Sequence, residues 1–169
     1  MNNNDFRSFP SVIKWLILTI IFAFCGGNMI YAQNGLEINS ILNGRFSTDP
    51  KVTETYLSGN NKFLKSHNLT VFATLKAPAS TYRQTVEKAV LRDGTSAIGK
   101  QVRYKGGKLY FALFILKPVK SEGEKINRYL YYLNNAANDG TDIFLIYLEG
   151  RIGEQKVSEL IRKMAQNSK

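Results

Sequence analysis

Arg103, Lys105 and Lys108 cluster around a Gly106-Gly107 pair, and Tyr110 follows close behind. Side chains of that type at that spacing could hold an anionic surface: a lipid head group, an acidic glycan or an acidic protein. These four residues are the candidate ligand-binding surface of the chain. An ordinary structural role competes with that reading, because lysines beside a turn keep a hairpin soluble and discourage edge pairing. On a chain this basic a cluster of three is common, so the ordinary role carries the greater weight.

Other chemistries find less support. With one His and one Cys, the chain closes no internal disulfide and builds no Cys/His zinc centre. His67 follows Ser66, but neighbours on an extended segment point apart and form no triad, so an exposed histidine is expected. Glu122 and Glu124 read as loop residues, while Glu37, Glu54, Glu87 and Glu149 are scattered. None of them is marked out as the carboxylate pair that glycoside hydrolysis needs about 5–10 Å apart. Asn134 to Asp142 contains an Asp-Gly step, yet placing Gly140 sixth in a calcium loop puts Ala137 third and Ile146 twelfth. Neither binds calcium. Tyr129, Tyr131 and Tyr132 could stack on a sugar, although a strand with aromatics on both faces explains them better. No metal, no cofactor and no catalytic constellation is expected.

The elements that must carry the basic cluster are legible from pattern. Residues 101–105, Gly106-Gly107 and residues 108–116 read as a two-residue hairpin, since Gly-Gly accepts the positive φ such turns need. That register sets Lys105 opposite Lys108, Tyr104 opposite Leu109, Arg103 opposite Tyr110 and Val102 opposite Phe111. Beyond Tyr110 both faces of the strand are apolar, which marks a central strand covered on two sides. Upstream, Asn34 and Glu37 cap a short helix at 36–43, 51–58 alternates as a strand, and 69–75 is a strand by its content of Thr, Val and Phe. Pro78 ends the second strand, and Thr81 with Gln84 makes a capping box. It opens a helix whose stripe is Tyr82, Val86, Ala89 and Val90, closed by Asp93-Gly94. Downstream, 117–125 reads as a polar loop, 126–133 and 142–148 as strands, and Val157, Leu160, Ile161 and Met164 as a helical stripe. The order α-β-β-α-β-β-β-β-α implies a single α+β domain, an antiparallel sheet with its helices packed on one face.

Composition agrees with one domain. The chain has 169 residues, 44% hydrophobic and 21% charged, with a net charge of +10. It is neither disordered nor a polytopic membrane protein. Arg7 and Lys14 precede an apolar run from Trp15 to Cys25, broken by Gly26-Gly27-Asn28 and followed by Ile30-Tyr31-Ala32. That order is a secretory signal over 1–32, cut after Ala32, leaving 33–169 as the domain. The run alone spans about half of a ~30 Å hydrocarbon core. Read from Ile13 to Ala32 it would suffice as an uncleaved anchor. Cys25 follows Phe24, a poor fit to lipoprotein processing. Removing 1–32 takes away Arg7, Lys14 and Asp5 and leaves a net charge of +9.

Six stretches carry a resemblance: Ile41 to Phe46, Val52 to Glu54, Asn68 to Phe72, Val102 to Tyr110, Asn127 to Tyr131, and Ile146 to Gly150. In these the chain resembles an uncharacterised domain-of-unknown-function family of small exported proteins from Gram-negative gut anaerobes. The resemblance implies export in a two-membrane cell and brings no activity and no site.

The expected function is therefore binding: an exported accessory protein of the periplasm or beyond, meeting an anionic envelope component or protein through its basic hairpin. Nucleic acid is not expected, although the pI is near 9.7, because the chain is addressed outward and its aromatics are not interleaved with its cations. An envelope hydrolase is the alternative class. An inner-membrane sensor or assembly factor is the reading if the leader is kept, the membrane then being met only through that leader.

Overall fold

The computed structural model describes residues 35–138 and 141–167. The leader, Cys25, the Ala32-Gln33 junction, Asn34 and the Asp139-Gly140 step lie outside the described residues. A 3-10 turn at Glu37–Ser40 precedes β1 (Thr53–Ser58), α1 (Lys62–Ser66), β2 (Leu69–Pro78) and α2 (Ala79–Gly94). There follow β3 (Gly99–Lys105), β4 (Lys108–Ser121), β5 (Glu124–Asn134), a 3-10 turn at Asn135–Asn138, β6 (Asp142–Gly150) and α3 (Glu154–Asn167). The six strands form one sheet in the order β1-β2-β6-β5-β4-β3, and every neighbouring pair is antiparallel. The α+β class, the six antiparallel strands and the helices that follow β2 and β6 are as the sequence implies.

Both faces of the sheet are covered, and here the structure departs from expectation. On one face Ala73, Leu75, Leu130, Tyr132, Leu145 and Tyr147 pack with Val86, Ala89 and Val90 of α2 and with Ile38, Ile41 and Leu42. On the other, Phe72, Tyr129, Tyr131, Ile146 and Leu148 pack with Leu64 of α1 and with Val157, Leu160 and Ile161 of α3. The helices therefore do not share a face. The cause lies in β4, β5 and β6, whose successive residues are apolar on both sides and need cover on both. The α3 stripe supplies the second cover, at about 1.5–3 kcal/mol for each fully buried Val, Leu or Ile.

Three local elements differ as well. No helix runs over 36–43; only Glu37–Ser40 coils, and it is capped from a distance. Asp93 on α2 accepts Glu37 N–H at 2.7 Å and Ile38 N–H at 3.0 Å. The expected loop at 117–125 is instead extended strand closed by a tight turn, with Glu122 at φ 51° and Gly123 at φ 82°. A register shift between Leu116 and Val119 absorbs Pro118, which has no N–H to give a ladder. Finally α2 begins at Ala79, before the expected capping box, so Thr81 stands inside the helix. Short α1 has no counterpart in the sequence reading. Asn61 caps it, its side chain accepting Phe63 N–H at 2.8 Å.

Candidate functional site

The basic hairpin forms where the sequence places it. Gly106 and Gly107 sit at φ 55° and 72°, the pair of left-handed residues that a type I′ turn requires. Lys105 faces Lys108 and Tyr104 faces Leu109, as expected, but Arg103 then faces Phe111 and Val102 faces Ala112. Tyr110 is the extra residue of a bulge. The packing dictates it: Leu109, Ala112, Phe114 and Leu116 all join the α2-side core, and the odd interval from 109 to 112 requires one inserted residue. Arg103 lies on the opposite side, its guanidinium carbon 5.6 Å from the Phe111 ring centroid. Arg103, Lys105 and Lys108 are exposed, while Tyr110 is half-buried. The three cations stay close to the turn, and Tyr110 no longer pairs with Arg103.

The cluster is part of something longer. β3 is an edge strand of the sheet. From Gly94 to Ser121 the chain carries Lys100, Arg103, Lys105, Lys108, Lys117 and Lys120 and not one Asp or Glu. All six are exposed. Lys100, Lys117 and Lys120 belong with the expected cluster, and a count of acid-free sequence would have found them. An edge of this kind repels other cationic edges, and its field attracts anions over about a Debye length.

Residues 25–161 match a family model described as a family of unknown function, DUF6108. The chain belongs to this family. No curated protein and no solved structure matches it. The match bears out the resemblance to an uncharacterised family, and it leaves the chemistry of this DUF6108 chain to be argued from its own side chains.

The remaining candidates are structural. Ser66 and His67 do touch, Ser66 Oγ lying 2.9 Å from His67 Nδ1, because a helical turn rather than a strand holds them. His67 Nδ1 is also 2.9 Å from Phe63 O, and its ring lies against the Phe63 ring at 4.5 Å. That contact closes the end of α1. Tyr129 and Tyr131 are buried on one face and Tyr132 on the other, so the tyrosine run is core. Burial pushes the Tyr131 phenol up to about 12. Among the described residues no group of three or more His, Cys, Asp or Glu could hold a metal ion.

Among the described residues of this DUF6108 domain, Glu149 and Asp93 are the buried carboxylates, 7% and 5% exposed. Glu149 shares the inward parity of Ile143, Leu145 and Tyr147 on β6, a signal already present in the sequence. It accepts the Tyr147 hydroxyl at 2.7 Å and faces Arg128 across the β5–β6 ladder. Burial raises its pKa, with the Tyr147 hydrogen bond and the Arg128 charge pulling it back part-way. Tyr147 is raised too, by burial first and then by the charge of Glu149. A carboxyl raised on folding costs stability when ionised, and that cost fades as pH falls through the folded-state pKa. Glu149→Gln keeps an acceptor for Tyr147 and removes the charge. Its melting temperature is expected to exceed the parent's at pH 7.5, by on the order of a few degrees, with the gain gone near pH 4. A lower melting temperature at pH 7.5 would show that the Arg128 attraction outweighs burial.

Proposed function

We propose that this protein is a binding domain of the cell envelope, exported behind its leader, and that it engages an anionic partner through the basic edge of its sheet. One observation supports the reading most: the edge strand β3 and its neighbour β4 present six exposed cations over a stretch without a single acid. Arg103 is the fixed point of that surface, since Phe111 beneath it restrains a side chain that would otherwise lose entropy on binding. Lys105 and Lys108 flank it across a turn of set geometry.

Heparin serves as the polyanion for a first test. The parent is expected to be retained and to elute with salt, as screened contacts do. Arg103→Glu/Lys105→Glu/Lys108→Glu should elute at clearly lower salt. Lys62→Glu/Lys65→Glu/Lys88→Glu makes the same change in net charge on the helices and should stay near the parent. If both triple variants elute together, net charge alone governs retention and the edge is no site.

A further inference from the structure

One apolar cavity belongs neither to the basic edge nor to the closed core. About 360 Å³ in volume, it lies on the α3 side of the sheet. Its floor is built from residues directly opposite one another across strands: Thr53, Lys76, Phe144 and Leu133 in one row, and Thr74, Ile146 and Tyr131 in the next. Ile161 and Met164 of α3 form its wall. The first row crosses four strands, so the cavity is elongated by about three strand spacings, or roughly 14 Å. At roughly 30 Å³ per water-sized group it has room for about twelve heavy atoms.

Polar groups stand at its rim. Thr53 and Lys76 are exposed at one end and Asn135 is half-exposed at the other, while Tyr131 and Ile146 are buried. An apolar slot with a few polar groups at its mouth is the usual form of a small-molecule site. Length favours an extended chain over a compact ring system. The head group follows from Lys76. Its Nζ lies 3.4 Å from Asp142 Oδ2, longer than the ~2.7–2.9 Å of a tight charge-assisted bond. It also stands 5.7 Å from the Phe144 ring centroid, at the mouth. An ammonium has three donors, and one loose carboxylate leaves it able to take another anion.

We infer that this cavity binds a free single-chain fatty acid of medium length, its hydrocarbon lying along the Phe144–Leu133 row and its carboxylate at Lys76. The inference stands apart from the basic edge and survives if that reading fails.

The test is titration of the full 169-residue chain, carbon-13 labelled at Ile and Met methyls, with decanoate and separately with decanol. Saturable shifts are expected at Ile146, Ile161 and Met164. Lys76→Met should weaken decanoate about tenfold or more and leave decanol nearly unchanged. Met164→Trp fills the slot and should abolish both, with Thr74→Trp blocking it from the sheet side if that variant misfolds. Two results overturn the inference. Decanoate binding that persists in the blocked variants places the chain elsewhere. Equal loss of decanoate and decanol on changing Lys76 removes the carboxylate from the assignment.

Discussion

Gly150→Ala is expected to be among the most damaging single-methyl changes in the domain. Gly150 ends β6 opposite Leu69, where the register of the β2–β6 ladder shifts. A Cβ there would collide with the Asn68 carbonyl oxygen and would lie 2.6 Å from the Leu69 Cα, both backbone atoms. No rotamer change relieves such a clash. The segment is doubly held, since Arg151 N–H donates to Asn68 O at 2.8 Å and Asn68 already sits at φ 55°. Relief therefore requires parting β2 from β6, two inner strands of the sheet. Overpacking ordinarily costs about 1–3 kcal/mol, and a backbone collision stands at or beyond the upper end. A fall of roughly 10 °C in melting temperature follows for a domain of this size. Gly153→Ser is the control: nothing lies within 4 Å of the added atom, and serine suits a position just before a helix. Circular-dichroism melts of both variants decide the matter. If Gly150→Ala melts within about 2 °C of the parent, the end of the ladder yields more easily than its geometry implies.

Gly150 also shows where sequence reading stops. In the sequence Glu149-Gly150 marks only the end of a strand; the need for glycine arises from a loop some eighty residues earlier. What could be read was whatever depends on local period. The α3 stripe, the Gly-Gly turn and the apolar runs of β5 and β6 are all local and all present. Misplaced features depend on partners distant in the chain. The bulge at Tyr110 follows from which face α2 covers, and the second helical layer follows from strands apolar on both sides. The latter is visible in β4 beyond Tyr110, where both faces are apolar, but a helical stripe does not say which face of a sheet it covers. For the candidate site, three of the six edge cations were legible as a cluster. The other three lie in the same acid-free stretch of sequence, and the position of β3 at the edge of the sheet is what joins all six into one surface. The cavity was out of reach, because its floor is drawn from four strands and its wall from the C-terminal helix.

Asp93 is the clearest case of a distant partner, and its removal carries the other large expected effect. In the sequence Asp93-Gly94 reads as the end of a helix. In the fold the Asp93 carboxylate caps the turn that anchors Ile38, Ile41 and Leu42 in the core. Asp93→Ala leaves the Glu37 and Ile38 amides without that acceptor, at about 1–3 kcal/mol for the buried Ile38 amide and less for the part-buried Glu37 amide. The nearby Arg92–Glu37 pair, 3.0 Å apart and largely exposed, offsets little. A net loss of about 2–4 kcal/mol is expected, with hydrogen exchange at the Glu37 and Ile38 amides accelerated well beyond that of α2. Asp93→Asn, which keeps one acceptor oxygen, should fall between. The pH dependence gives a further check. Burial raises the Asp93 pKa, and the two backbone hydrogen bonds only partly counter it. The ionised carboxyl is thus the less favoured form in the fold, and the stability it contributes falls as pH rises through its folded-state pKa. The deficit of Asp93→Ala should accordingly widen as pH is lowered from 7 toward 4. A deficit that narrows instead would mean that the two N–H donors hold the charge more strongly than burial opposes it. The same turn would then be clamped by the anion, and acidification would release it.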